Sequence, residues 1–449
     1  MNTSYAPYQP DQQYLMPCSL QEWLPRGHLA YFINDTVDQL DLRAFHARYA
    51  RGGSRNQPFH PAMMVKVLVY GYATGVFSSR KIARKLHEDV AFRVLGADNF
   101  PAHRTIRDFR ALHLSEFSEL FVQVVRLARE MGLVKLGTIA VDGTKIKANA
   151  SRHKAMSYGR MQTTEAELKA QIAALLEKAK RTDEDEKNEP DLDIPAEIER
   201  RQARLVAIEA AKARLEERQR QSDALRGRTP DDERLPRDKD GKPRGGTPYS
   251  RDFGVPPATA QDSFTDPQSR IMKRAGGGFD YSYNAQTAVD ERAHIIVAAE
   301  VVNASADVHQ LAPVLEAVKA NTGADPEQVL ADAGYRSEEE MAKLAQARPQ
   351  TELVIALGRE GRLQAKPKPK PTDAQSYPHT VAMQAKLQTD KGKADYRKRK
   401  WIAEPPNGWI KHVLGFRQFS MRGLDKAKAE FKLVCLSLNL RRMGAMSTT

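Results

Sequence analysis

The sequence predicts an α/β protein: a mixed sheet with flanking helices, preceded by an all-helical N-terminal domain and interrupted by a helical insertion. Three observations support this prediction. Up to about residue 130, apolar residues recur at i, i+3, i+4 and i+7, the spacing of one helix face. From Gly137 onward, segments with strand patterning alternate with helical ones. A long, charged, alanine-rich stretch separates the first strand from the others.

Residues 1–130 are predicted to form a helical domain that binds DNA. Two helices, over residues 78–90 and 103–115, resemble a helix-turn-helix unit with a basic outer face, which can lie against a DNA groove. The alternative is an ordinary helical bundle whose basic face is solvated. The basic residues of the pair are Arg80, Lys81, Arg84, Lys85, Arg104, Arg107 and Arg110.

The sheet is predicted in two parts, residues 131–160 and residues 263–449. The first strand is GTIAVDGTKIKANA, in which apolar residues alternate around Asp142. A short polar turn joins the next two strands into a hairpin. A helix, a strand, a helix and a last strand follow. These segments read FDYSYNAQTAVDER, AHIIVAAEVVNAS, ADVHQLAPVLEAVKAN, QVLADAG, SEEEMAKLAQAR and TELVIALG.

Residues 161–262 form the predicted insertion. Residues 161–222 are expected to be a helical arm with charge pairs four residues apart on its outer faces, and residues 223–262 are expected to be loop or disorder. A second stretch without hydrophobic runs, 359–390, contains KPKPKP and is predicted to be an extended, positively charged linker. The chain closes with an apolar helix, KAKAEFKLVCLSLNLRRM.

Composition favours a polyanionic partner. The chain has 70 Lys and Arg against 57 Asp and Glu, a net charge of +13, which favours binding to a phosphate backbone; a soluble protein with a basic surface is the alternative. Cys18 and Cys435 lie far apart and are expected to be reduced thiols, Cys435 in the core. With no apolar run of about 20 residues and a polar start, we expect a cytoplasmic protein that does not bind membranes.

Three carboxylates stand in segments that suggest one metal site: Asp142, Asp332 and Glu404. Asp142 interrupts an apolar strand, Asp332 ends another, and Glu404 lies among seven Lys and Arg between Lys391 and Lys411. An acid within an apolar strand is unfavourable unless it is paired or binds a cation. Carboxylates next to concentrated positive charge indicate Mg²⁺ bound beside a phosphate backbone.

In these segments the chain resembles the DDE transposases of bacterial insertion sequences, whose catalytic core has an RNase H-like fold. The resemblance runs in order through five blocks, which makes it far more specific than any single motif. The blocks are FPAHRTIRDFR, AVDGTKIKANAS, DPQSRIMKRAGGGFDYSYNAQTAVD, VLADAGYRS and AEPPNGWIKHVLGFRQFSMRGLDKAKAE. The resemblance implies that Asp142, Asp332 and Glu404 are the catalytic and metal-binding acids.

The resemblance also implies a signature of tyrosine, arginine, glutamate and lysine, which maps onto Tyr396, Arg399, Glu404 and Lys411. The spacing between the arginine and the glutamate differs by one residue from that of the family. Relatives usually have Phe and Gly after the Glu-Pro pair, whereas this chain reads Pro405, Pro406, Asn407 and Gly408. Two prolines could begin a helix just after Glu404 or misplace it.

Several further residues are candidates to bind DNA or line the cleft. Lys411 follows Glu404 by two helical turns and is expected to bind phosphate; Arg399 and Lys400 are expected to contact the backbone. Tyr396 and Trp401 can stack on an unpaired base, although core packing is an equal interpretation for Trp401. Asn284 and Gln286 are candidates to line the cleft, and His309 is a candidate functional residue. For all three, a purely structural role is the alternative.

The implied chemistry is Mg²⁺-dependent cleavage of phosphodiesters and strand transfer, with Mn²⁺ as a substitute. The implied partners are the terminal inverted repeats of the insertion sequence and target DNA, bound by a homodimer. No GxxxxGK[ST] loop is present, and no nucleotide cofactor is expected. Two alternatives remain: an RNase H-like nuclease that cuts without strand transfer, and an inactive transposase remnant that only binds DNA.

Overall fold

The computed structural model describes residues 19–49, 57–184, 194–237, 242, 245–274, 277–358 and 373–447. Its N-terminal part is helical, as predicted. Pro61 begins the most buried of these helices, at the position where its missing N–H leaves no hydrogen bond unmade. The helices are α1 (Leu29–Gln39), α2 (Arg43–Ala47), α3 (Pro61–Ala73), α4 (Ser79–Glu88), α5 (Val90–Gly96), α6 (His103–Leu112) and α7 (Leu114–Glu130).

The predicted pair of basic helices corresponds to α4 and α6, with the short helix α5 between them. Asp89 accounts for this extra helix, because its side chain accepts a hydrogen bond from Ala91 N at 3.0 Å and so caps α5. On α4 and α6 the apolar residues Ile82, Leu86 and Ile106 are buried, while Arg80, Arg84, Arg104 and Arg107 are exposed.

The strands form one mixed sheet and one small two-stranded sheet. They are β1 (Thr138–Lys147), β2 (Ala155–Ser157), β3 (Gln261–Ser263), β4 (Arg270–Lys273), β5 (Phe279–Asp290), β6 (Ile296–Val302), β7 (Gln328–Ala331) and β8 (Glu352–Ile355). In the main sheet β4 and β6 both pair with one edge of β5, and the order continues through β1 and β7 to β8. The β4–β5, β5–β6 and β1–β5 pairs are antiparallel, whereas β1, β7 and β8 run parallel.

The remaining helices are α8 (Tyr158–Glu184), α9 (Ile194–Leu225), α10 (Leu311–Thr322), α11 (Glu338–Ala347), α12 (Pro378–Gln388), α13 (Asp390–Gly408) and α14 (Leu424–Ser447). The last of them, α14, is the apolar closing helix predicted from sequence. It packs against α7, α3 and β6, and Cys435 is fully buried within it. The N-terminal helices and the main sheet therefore share one hydrophobic core. Cys18 lies outside the described residues.

The insertion contains the predicted arm. Helices α8 and α9 run antiparallel, because Tyr158 contacts Glu216 near the base and Lys169 contacts Glu209 further out. They enclose a small core of their own. Where loop or disorder was expected, the described residues instead make buried charge contacts and contribute β3. Arg228 pairs with Asp232 at 2.6 Å, so ion pairs replace the missing apolar burial there.

The expected linker is in part a helix. Its first half, 359–372, lies outside the described residues, and α12 occupies the second half. The next helix, α13, begins at Asp390, so Tyr396 lies in its second turn. Pro405 and Pro406 lie inside this helix and are followed by a π-helical turn, Trp409–Val413. Prolines cannot donate the hydrogen bonds of a regular helix, which fits the change of winding directly after them.

None of the helices in the described part of the chain is long and apolar enough to cross a membrane.

Candidate active site

Two of the three predicted acids lie next to each other at one edge of the sheet. In the parallel pair of β1 and β7, Val141 is the partner of Ala331. Asp142 and Asp332 are the next residues along the chain, so they lie side by side where the parallel pairing ends: β7 stops at Ala331, whereas β1 continues to Lys147. Asp332 accepts a hydrogen bond from Gly334 N at 2.8 Å and thereby caps a short turn, Ala333–Tyr335.

The electrostatics of Asp142 indicate a site for a cation. The pKa of Asp142 is raised to about 6, chiefly by burial; the guanidinium of Arg399 opposes the shift, and the nearby carboxylate of Asp332 adds to it. Arg399 Nη1 lies 3.8 Å from Asp142 Oδ1, and Asn407 Nδ2 donates to Asp142 Oδ2 at 3.3 Å. A bound divalent cation would stabilise both ionised acids at neutral pH.

Helix α13 determines which residues reach Asp142. At about 100° per residue, Arg399, Ala403 and Asn407 lie on one face of the helix, and this face packs against β1. Glu404 lies about 140° around the helix from Arg399, and its side chain is exposed. Among the described residues, no group of three acids, histidines or cysteines is close enough to hold a metal ion. The structure thus brings two predicted acids together and leaves Glu404 outside.

The other signature residues lie on or near α13. Lys411 is partly buried close to Asp142; burial lowers its pKa and the charge of Asp142 opposes that shift. The guanidinium of Arg399 lies 5.9 Å from the ring centroid of Tyr396, which packs on the core. Lys400 is exposed. Trp401 is 46% exposed, and its ring makes an edge-to-face contact with that of His294. Lys411 and Arg399 therefore flank the acids, while Lys400 and Trp401 face outward.

One carboxylate at this edge was missed in the sequence. Asp307 accepts hydrogen bonds at Oδ1 from Asn284 Nδ2 at 2.6 Å and from Gln286 Nε2 at 2.7 Å, and Lys145 Nζ lies 3.3 Å away. Asn284 and Gln286 alternate along β5, which was the one signal of polar surroundings. His309 follows Asp307 by two residues. Its side chain is exposed, and its Nδ1 lies 3.4 Å from Glu340 Oε1.

A basic cleft lies between helices α4 and α6 on one side and residues 420–426, which lead into α14, on the other. It has a volume of about 730 Å³, and the described residues that line it include cations from both sides but no carboxylate. Four of the five arginines on the predicted pair of basic helices line it, whereas Arg84 does not. Its basic lining residues are Arg80, His103, Arg104, Arg107, Arg110, Arg422 and Lys426.

The acids at the sheet edge fit a divalent cation with a preference for oxygen ligands. Mg²⁺ commonly binds through one or two carboxylates and completes its shell with water and substrate phosphate. Asp142 and Asp332 supply such a pair of carboxylates. Cys435, the cysteine among the described residues, is buried in the core.

Comparison with known families gives two matches. Residues 250–440 match the family described as "Transposase DDE domain", and residues 18–112 match the family described as "Transposase domain (DUF772)". Neither the curated proteins nor the solved structures include a significant match. Asp332 and Glu404 fall within the first matched range, and the arginines of α4 and α6 fall within the second. Asp142 lies between the two ranges.

Proposed function

The chain belongs to the DDE transposases of insertion sequences, and from this premise we propose that it binds the ends of its element, cleaves the DNA there and transfers the cut strands to target DNA. The observation that carries the proposal is the pair of acids, Asp142 and Asp332, which lie side by side where the parallel pairing of β1 and β7 ends. The two half-buried carboxylates can contact a substrate, while the sheet beneath them fixes their separation.

The sheet is proposed to be an RNase H-like core. Its order, in which β6, β5, β1, β7 and β8 are neighbours in turn, supports this assignment. So does the change from antiparallel to parallel pairing at β1. Asp142 then lies on the first strand of the core and Asp332 at the end of the fourth, as the resemblance implied.

Asp142 and Asp332 would hold Mg²⁺, with Mn²⁺ as a substitute. When bound, such ions supply an activated water or 3′-hydroxyl and stabilise the departing oxygen. Glu404 would join them only after the end of α13 rearranges, because its side chain now lies on the outer face of that helix. The prolines that follow Glu404 leave this segment with fewer helical hydrogen bonds, which would ease such a change.

DNA binding is proposed along two basic surfaces. Lys411 and Arg399 beside the acids, with Tyr396 and Lys400 on the same helix, would contact the strand that is cut. Arg80, Arg84, Arg104 and Arg107 on α4 and α6 would contact the duplex of the element end. A homodimer on DNA would allow both element ends to be held at once.

The experiment is a cleavage and joining assay on labelled DNA that carries the element ends, with supercoiled target DNA. We expect nicking and joined products in Mg²⁺ or Mn²⁺ and neither product in EDTA. Asp142→Asn and Asp332→Asn should abolish both while leaving DNA binding intact. Cleavage without joined products would favour the nuclease. Cleavage that persists in both aspartate variants would overturn the assignment of the acids.

One observation favours a second candidate, a member of the family that binds DNA without cutting it. The exposed side chain of Glu404 leaves the third acid away from the other two. This candidate predicts binding of the element ends with no cleavage in either metal. The same assay separates the two candidates, because gel-shift binding and cleavage are read on the same labelled DNA.

A further inference from the structure

Asp307 lies at the centre of the polar side chains beneath the two aspartates. It follows β6 in the connection to α10, and its side chain is 20% exposed. Three donors point at the same carboxylate oxygen, Oδ1: the amides of Asn284 and Gln286 and the ammonium of Lys145. Because these donors come from β5 and β1, the carboxylate is fixed to the two central strands of the sheet.

Asp307 is also packed against the main chain that carries Asp142. A methyl group added at Gly143 would lie 2.7 Å from Asp307 Oδ1 and 2.6 Å from Gln286 Nε2, so an alanine there would force the ends of these side chains to shift. The N–H of Gly143 donates to Asp142 Oδ1 at 3.0 Å. The contact between Asp307 and Gln286 therefore lies directly under the peptide that orients the Asp142 carboxylate.

The same carboxylate reaches the turn that carries Asp332. A methyl group added at Gly334 would lie 3.4 Å from Asp307 Oδ2 and 2.9 Å from Asp332 Oδ1. The hydroxyl of Tyr335 in this turn donates to Gln286 Oε1. One oxygen of Asp307 thus contacts the β5 and β1 side chains, and the other faces the Asp332 turn.

We propose that Asp307 is a positioning residue that fixes the separation and orientation of Asp142 and Asp332 for metal binding. The inference rests on the proposed function. A third carboxylate beside two others is electrostatically unfavourable, and a neutral side chain would serve as a scaffold at less cost. Its charge is explained if it holds Lys145 and the amides of β5 in fixed positions around the metal-binding acids, as hydrogen-bonded outer groups do at metal sites.

The test uses Asp307→Asn and Gly143→Ala. Asp307→Asn keeps the shape of the side chain but loses its charge and presents an N–H₂ group in place of one oxygen. Gly143→Ala leaves every carboxylate unchanged and displaces Asp307 through the added methyl group. Asp325→Asn is the matched control, because Asp325 follows the C-terminal end of α10 and pairs with Lys319 and Arg348.

The readouts are Mn²⁺ affinity of the DNA-free protein, measured by electron paramagnetic resonance, and the Mn²⁺ dependence of cleavage. We expect both site variants to weaken Mn²⁺ binding and slow cleavage by about tenfold to a hundredfold. Their double variant should fall well short of the product of the two effects, because both act on one contact. Asp325→Asn should match the wild type in both readouts. Tyr335→Phe, which removes only the hydroxyl contact with Gln286, should act in the same direction.

The outcomes separate this inference from the proposed function. If Asp142→Asn abolishes cleavage while Asp307→Asn and Gly143→Ala bind Mn²⁺ like the wild type, Asp307 does not position the site. The inference is also overturned if their losses only follow a fall in melting temperature that Asp325→Asn shares. If the wild type binds Mn²⁺ but never cleaves, the proposed function fails, and weakened Mn²⁺ binding in the two variants still supports the role of Asp307.

Discussion

Arg399 Nη1 lies 3.8 Å from Asp142 Oδ1, and this ion pair joins helix α13 to the central strand of the sheet. The signature arginine therefore faces the acid in the DNA-free protein, where it offsets part of the negative charge. A divalent cation would take over that task when it binds. Arg399 would then be free to contact a DNA phosphate. The same arginine would therefore pair with Asp142 before the metal binds and with the DNA afterwards.

Removing the charge of Asp142 should stabilise the metal-free protein. Because burial raises the pKa of Asp142 to about 6 from its ordinary value of 3.8, the ionised acid destabilises the folded state above that pKa. We expect Asp142→Asn to raise the free energy of unfolding by about 1–3 kcal/mol at about pH 8. The difference should shrink as the pH falls through 6 and vanish near 4. Urea unfolding in EDTA across this range measures it, and a difference that grows toward acid pH would contradict it.

Removing the partner of Asp142 should shift the pH dependence of cleavage. The guanidinium of Arg399 lowers the pKa of Asp142, so Arg399→Gln should raise that pKa. At Mg²⁺ concentrations below saturation, where protons and metal compete for Asp142, we expect the acid limb of the cleavage rate to move upward by about one pH unit. Arg399→Lys, which keeps the charge, should shift it less. An unchanged limb with a uniformly lower rate would show that Arg399 acts on DNA alone.

Two neighbouring arginines of α6 should behave differently. Arg110 is buried and donates to Tyr72 Oη at 2.8 Å and to the Phe77 carbonyl at 2.9 Å. Arg110→Met should lower the free energy of unfolding by about 2–4 kcal/mol. Arg107 is exposed, so Arg107→Ala should leave stability within about 0.5 kcal/mol. Thermal or urea unfolding compares the two variants.

Arg107→Ala also tests the basic cleft. Arg107→Ala should weaken DNA binding for every sequence and lower the slope of log affinity against log salt by about 1. Arg43→Ala is the control, because Arg43 is exposed on α2, pairs with Asp41 and does not line the cleft. Fluorescence anisotropy across a salt series measures the slope. Equal slopes for wild type and Arg107→Ala would remove Arg107 from the DNA-binding surface.

Glu404→Gln should separate metal binding in the free protein from catalysis on DNA. The side chain of Glu404 is exposed on the outer face of α13, so its loss should leave the melting temperature and the Mn²⁺ affinity of the DNA-free protein unchanged. Cleavage should fall by about a hundredfold or more if Glu404 joins the site on DNA. An equal cleavage rate in this variant would mean that Asp142 and Asp332 suffice.

The sequence pattern was enough to find β1, the strands from β5 to β8 and the two aspartates, whereas β2, β3 and β4 were missed. Asp142 was recognised because it interrupts an apolar strand and Asp332 because it ends another, and the parallel register of β1 and β7 places the two side by side. The orientation of Glu404 could not be predicted. It depends on the rotation of α13, which begins at Asp390 and is fixed by packing of Ile402 and Ala403 on the core.

Long-range contacts set the rest of the site. Asp307 lies between a strand and a helix, where nothing in the local pattern distinguishes it from a loop residue. Its partners are far from it in sequence: Lys145 precedes it by 162 residues and Asn284 by 23. The ordered ion pairs of the insertion were missed because hydrophobic patterning does not report how charges are paired.

The most direct test is the position of Mn²⁺ in crystals of the protein bound to element-end DNA, located by anomalous scattering. We expect a peak about 2 Å from carboxylate oxygens of both Asp142 and Asp332, with Arg399 moved away from Asp142. A site bound by other acids would contradict the assignment. So would a saturated crystal in which Asp142 still pairs with Arg399 and no peak lies between the two aspartates.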